Sequence, residues 1–175
     1  MNALLPADLI LLDLPMNHDN RGSLTELYRK NWHPSIPAVQ WDVVTSRAGV
    51  MRGVHVHRHR TDYLSVVKGK MCVGLKDMRA SSPTKDLACT IQMDAANLQL
   101  LIIPTGIAHG IWSMDDSILM FGMDHYWDST DDNGCYWNDA ELGIAWPCDT
   151  VLLSERDSKA QSYRDLVSQM DLVCY

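Results

Sequence analysis

The chain has 175 residues, 46% of them hydrophobic and 21% charged, with a formal net charge of −7. That is enough apolar material for an ordinary packed core, read here as a single domain over residues 1–175. The negative balance excludes a general attraction to nucleic acid or to an anionic membrane, so an anionic ligand has to be held by particular arginines.

At the start, apolar residues come only as Leu4-Leu5 and Leu9 to Leu12, broken by Pro6 and Asp8 and without a basic lead-in. Neither a signal peptide nor a membrane span is expected from such a pattern. The β-prone run 9–14 ends at Pro15, and Asp19-Asn20-Arg21-Gly22 reads as a turn before an alternating stretch that ends at Tyr28. Further strands are expected over 39–46, 50–59, 63–67, 70–75, 87–93, 98–103, 107–114 and 117–123, with Lys68-Gly69 as one of the turns between them. Many short strands punctuated by Gly, Pro, Asn and Asp point to a mainly β sandwich, jelly roll or barrel.

The tail has a different period. Ser154 fits an N-cap with Asp157 at the third helical position. Tyr163, Leu166, Val167 and Met170 then fall at i, i+3, i+4 and i+7, one apolar stripe of a short C-terminal helix packed on the barrel. The five cysteines, Cys72, Cys89, Cys135, Cys148 and Cys174, form no CxxC pair. They read as free thiols in a reducing cytoplasm.

Two segments carry chemistry. In Val54-His55-Val56-His57-Arg58-His59-Arg60 the three histidines share one strand face, and the valines and arginines share the other. Each neutral imidazole needs partners for two nitrogens, so three on one face point to a site; the alternative is a half-exposed strand whose histidines face water. In Pro104-Thr105-Gly106-Ile107-Ala108-His109-Gly110 a Pro and Gly turn leads into a strand-borne His109, which a jelly roll would bring near His55.

Taken in order, several pieces form a series: Asp19-Asn20-Arg21-Gly22 with Leu24 and Glu26; Val39-Gln40; Gly49 to His55; Val66-Val67-Lys68-Gly69; Asp77-Met78-Arg79; Ile103 to Gly110; Trp137-Asn138-Asp139 through Pro147; and Leu153 to Asp157. With this series the chain resembles the dTDP-4-dehydrorhamnose 3,5-epimerase family along nearly its whole length. The resemblance implies a cupin jelly-roll barrel, a homodimer, and a nucleotide-diphosphate sugar as ligand, with no cofactor. It also implies that His55 is the catalytic base and that Asp157 orients and charges it, which suits removal of a proton beside a ketone near neutral pH. Arg21 and Arg52 match diphosphate-binding arginines, whose planar guanidinium suits phosphate oxygens. Glu26 and Gln40 match positions lining the nucleotide-sugar site, and His109 is counted with the substrate-binding residues.

Two positions depart from the family pattern. Asp62 stands where the family has a Lys that can stabilise an enolate, and Phe121 where it has a Tyr that returns a proton on the opposite sugar face. A carboxylate beside a developing oxyanion would repel it. Two outcomes are open: Tyr63 or Tyr126 supplies the proton instead, or the enzyme epimerises one carbon only. A second reading is a metal-dependent cupin in which His55, His57, Asp62 and His109 hold a divalent transition metal. A third is a non-catalytic protein that binds a sugar nucleotide.

Overall fold

The computed structural model describes residues 4–32 and 37–170, so Cys174 lies outside the described residues. Twelve strands and two short α-helices follow in chain order among them. The first three strands are β1 (Ile10–Asp13), β2 (Met16–Asp19) and β3 (Gly22–Thr25). Then come β4 (Gln40–Ser46), β5 (Met51–Val56), β6 (Asp62–Lys68), β7 (Lys70–Asp77) and β8 (Ala88–Asp94). The strands close with β9 (Gln99–Ile103), β10 (Ile107–Ser113), β11 (Ser117–Met123) and β12 (Asn133–Gly134). The helices are α1 (Glu155–Ser158) and α2 (Tyr163–Gln169).

Ten strands form two antiparallel five-stranded sheets, in the orders β1-β9-β6-β11-β4 and β12-β5-β10-β7-β8, while β2 and β3 pair only with each other. This is the expected mainly β jelly roll. Between the sheets lies a core that includes Leu64, Val73, Leu75, Leu101, Ile107 and Leu119. The outer face of the second sheet is covered by the C-terminal segment, with Met51, Val54 and Val56 packed against Trp137, Leu166 and Met170. The outer face of the first is covered by Leu14, Tyr28, Trp32 and Trp41 against Tyr63 and Leu100. With both faces covered, β6 and β7 are buried along nearly every residue and do not alternate. A sheet sandwiched on both sides has no water-facing side chains to place.

Two expected elements end early. The period-two pattern of 50–59 stops at Val56, because the Asp131 carboxylate accepts from the Arg58 and His59 backbone N–H groups at 2.7 and 3.1 Å. A side chain thus takes over the backbone pairing and the chain turns away from the ladder. The C-terminal helix is two helices. Ser154 caps the first as expected, its Oγ accepting from Asp157 N at 3.0 Å, and Ser162 caps the second through Asp165 N at 3.1 Å. The apolar stripe belongs to α2, where Leu166 and Met170 are buried and Val167 is exposed.

Candidate active site

A cavity of about 290 Å³ opens between the sheets, lined by side chains of β5, β10 and β11 and closed by the C-terminal segment. That is the size of a small ligand site. His55 stands in its wall, directly paired in register with His109 on β10. The close approach of β5 and β10 depends on Gly53, which has φ +106°; a Cβ there would sit 2.8 Å from the His109 carbonyl oxygen. On the other side, a Cβ on Gly134 would lie 2.9 Å from Cδ2 of the His55 ring, so β12 leaves room for the imidazole by lacking a side chain.

His55 Nε2 lies 3.0 Å from Asp157 Oδ1. Donation of Nε2–H to that carboxylate fixes one tautomer and leaves the Nδ1 lone pair for chemistry. Asp132 flanks the same ring, its Oδ1 3.9 Å from Nδ1, and is itself paired with Arg156. Burial alone would raise the Asp157 carboxyl, but hydrogen bonds from His55, Ser154 and the Gly53 N–H together with the His55 charge hold it below the ordinary carboxylate range. Asp132 is likewise lowered, its burial outweighed by Arg156 and by the nearby histidines.

The opposite wall is built differently. Asp62 is only 1% exposed and does not line the cavity; it lies behind the wall. Its Oδ2 is 3.1 Å from His109 Nε2 and 3.3 Å from His57 Nε2, and its Oδ1 accepts from Arg60 Nε at 2.8 Å. Burial by itself would push the Asp62 carboxyl up, yet His109 and His57 beside its Oδ2 leave it well below the usual range. His57 donates Nδ1–H to the Asp131 carbonyl at 2.6 Å, and its Nε2 accepts from Arg60 Nη2 at 2.7 Å. The Arg60 guanidinium lines the cavity and rests over the Phe121 ring, with Cζ 5.9 Å from the ring centroid. Its Nη1 is buried and has no hydrogen-bond partner. Leaving such a donor unpaired costs about 1–3 kcal/mol.

Of the expected residues, the cavity brings together His55, Asp157, Arg52 and His109, as well as Phe121 in the place of the missing Tyr. Arg52 sits at the rim, its Nε donating to Ser46 Oγ and its Nη2 to the Thr45 carbonyl, both at 3.0 Å. Arg21, Glu26 and Gln40 do not line it. Arg21 is at the tip of the β2–β3 hairpin, paired with Asp19, and Glu26 pairs with Arg29. Gln40 bonds Asp42 and the Trp127 N–H.

Three expectations are corrected. Asp62 does not face the reacting centre, because His57, His109 and Arg60 enclose it. His55 is not part of a four-membered ligand cluster, since its Nε2 is engaged by Asp157; the ligand atoms that converge, within 4.8 Å of one another, belong to His57, Asp62 and His109. Neither Tyr63 nor Tyr126 replaces the acid: Tyr63 is buried among Tyr28 and Trp41 outside the barrel, and Tyr126 is 76% exposed away from the cavity. His59, beyond the end of β5, is also exposed and outside it.

Reasoning from sequence missed Asp132, Arg156 and, above all, Arg60. Arg156 lay within the matched Leu153 to Asp157 piece and signalled itself there. The period-two reading put Arg60 on the face away from the histidines, and the turn after Val56 reverses that placement.

Residues 5–165 match the family model described as dTDP-4-dehydrorhamnose 3,5-epimerase. A protein of that name from Neisseria gonorrhoeae is 31% identical over 164 residues, covering 89% of this chain; the chain spans about half the length of that relative, 50%. The solved dTDP-4-dehydrorhamnose 3,5-epimerase from Bacillus anthracis, with TDP and PPi bound, is 32% identical and superposes with a TM-score of 0.83, covering 89% of this chain and 94% of that one. A 3'-monoepimerase from Streptomyces bikiniensis in complex with dTDP-quinovose is 25% identical, with a TM-score of 0.86 over 99% of this chain and 92% of that one.

Proposed function

The chain belongs to the dTDP-4-dehydrorhamnose 3,5-epimerase family, and from that premise we propose that it is a keto-sugar nucleotide epimerase, an isomerase acting on a dTDP-linked 4-keto-6-deoxy sugar. The observation that carries this reading is the His55–Asp157 pair, 3.0 Å apart in the wall of a ligand-sized cavity with Arg52 at its rim. His55 Nδ1 takes the proton from the carbon beside the C4 ketone, and the C–H electron pair becomes the enolate double bond as the carbonyl pair moves to oxygen. Asp157 steadies the imidazolium that forms, and Arg52 binds the diphosphate by its guanidinium edge.

Inversion needs a proton returned from the opposite face. Among the described residues that line the cavity there is no tyrosine, and Phe121 has no proton to give. Water entering through the open mouth supplies that proton in this reading, and one carbon is inverted. The bacterial 3'-monoepimerase with the same architecture makes a one-carbon outcome reasonable.

Arg21 meets the ligand only if a second copy of the chain brings its hairpin to the cavity, since β2 and β3 pair with neither barrel sheet. We therefore include a homodimer in the proposal. The four described cysteines are free thiols, which fits a cytoplasmic setting, and no described helix is long and apolar enough to cross a membrane.

The test is solvent exchange. In D2O, deuterium should enter the carbon beside the ketone of a dTDP-4-keto-6-deoxy sugar with the wild type and not with His55→Ala. Binding of dTDP in thermal shift without any exchange would instead favour the non-catalytic reading. The convergence of His57, Asp62 and His109 favours a metal as the second reading; a divalent transition metal held by them would polarise a carbonyl. Elemental analysis of the purified protein, with His57→Ala as control, separates the two.

A further inference from the structure

We propose that Arg60 is a catalytic residue of this site: its guanidinium donates to the ketone oxygen of the bound sugar as that oxygen becomes an enolate. The inference rests on the epimerase reading above and names the group that makes the reaction's charge tolerable.

Four observations converge on it. Arg60 is 6% exposed and lines the same cavity as His55. Its Nε and Nη2 are committed, to Asp62 Oδ1 at 2.8 Å and to His57 Nε2 at 2.7 Å, so the guanidinium is fixed in orientation before any ligand arrives. The Phe121 ring supports its face. Nη1 alone is left, a buried donor with no partner among the described residues. A guanidinium has five N–H donors in a rigid fork, and the bonds to Asp62 and His57 use two of them, so three remain for an acceptor brought into the cavity that Arg60 lines. A preset donor stabilises developing negative charge without reorganising.

The charge arrangement follows the same logic. Asp62 lies behind the wall, where its carboxylate compensates the buried Arg60, His57 and His109 cluster and does not meet the substrate. Arg60 lines the cavity and Asp62 does not. Asp62 is thus a positioning residue, and the carboxylate at that point in the chain delivers a cation to the site through its neighbour two residues earlier. Proton balance is unchanged from the epimerase step. His55 gains the proton, the oxygen gains the electron pair, and Arg60 shares a hydrogen with that oxygen without transferring it.

The experiment is single-turnover and steady-state solvent-deuterium exchange with a dTDP-4-keto-6-deoxy sugar, on wild type, Arg60→Met and Arg60→Gln. The Met variant should lose about 10²–10³-fold in kcat, the usual cost of one oxyanion donor, while KM moves by only a few-fold. Millimolar guanidinium chloride should restore part of that rate in Arg60→Met, a rescue that a merely structural arginine would not show. If the Met variant fails to fold, Arg60→Gln keeps hydrogen bonding toward Asp62 without the charge and should still lose about 10²-fold in kcat. Exchange by the wild type with an unchanged rate in either folded variant would overturn the role of Arg60 and leave the epimerase reading standing. No exchange by the wild type would overturn both together. A stoichiometric transition metal lost on His57→Ala, with full exchange by Arg60→Met, would overturn it in favour of a metal.

Discussion

The two walls of the cavity obey different rules. The wall of β5 and the C-terminal segment holds the residues that the resemblance named: a histidine, the carboxylate behind it and an arginine at the rim. The wall of β6 and β11 has exchanged its chemistry as a block. Arg60 touches both Asp62 and Phe121: the buried carboxylate has a cation beside it, the cation has a carboxylate and a ring to rest on, and the ring stands where the resemblance led to the expectation of a hydroxyl. Proton removal and charge stabilisation are therefore separable parts of one site. The first can be kept while the second is rebuilt from neighbouring positions.

The largest expected effect is on the kept wall. His55→Ala should lower substrate deuterium exchange by about 10³-fold, within the range for removal of a general base, with dTDP affinity by calorimetry changed by no more than a few-fold. A loss as large in dTDP affinity would show that His55 holds the ligand and does not act on it. On the exchanged wall, Asp62→Ala should act through stability, since it leaves Arg60 buried and unpaired. A loss of about 3–5 kcal/mol in urea unfolding is expected, and less than 1 kcal/mol would mean that Arg60 has another partner.

Acid should find both walls at once. The carboxyls of Asp62, Asp132 and Asp157 are all held below the ordinary range. A depressed folded pKa contributes stability that is full above the unfolded value, near 4, and is lost as pH falls through the folded value. Wild-type stability should drop as pH falls below about 4, and Asp157→Asn should make that fall shallower. An unchanged acid limb would separate Asp157 from His55.

Phe121→Tyr tests what the exchanged wall gave up. A hydroxyl there should open deuterium incorporation at the second carbon flanking the ketone, at least about tenfold above the wild-type background, corresponding to about 1.4 kcal/mol of barrier. NMR of the product decides, and no second site of exchange would mean that the ring at this position does not reach the sugar. The smallest effect belongs to the cap: Ser154→Ala should cost about 1 kcal/mol, read in the unfolding midpoint.

How much was legible follows the same division. The barrel was readable because short β-prone runs separated by turn residues leave few other architectures, and the strands appear close to where they were placed. Register did the rest for His55 and His109, which an antiparallel jelly roll sets opposite each other. Arg60 was hidden because strand alternation was carried four residues too far, past Val56, where Asp131 takes the backbone N–H groups and ends the ladder. A pairing between a loop carboxylate and a strand end 72 residues or more away leaves no periodic trace in the chain. Asp62 was placed at the right point of the fold and given the wrong neighbour, because burial of a carboxylate among two histidines and an arginine is a property of packing. Arg21, Glu26 and Gln40 were named from the resemblance, and within a single copy of the chain they stay outside the cavity.

His55 and Asp157 are 102 residues apart in sequence. A chain leaving the ribosome exposes the imidazole long before the carboxylate that orients it exists, so no nascent intermediate holds the pair. Enzymatic activity in this protein accordingly waits on synthesis past α1: a barrel truncated before it would keep its cavity-lining histidine and lack the carboxylate that orients it.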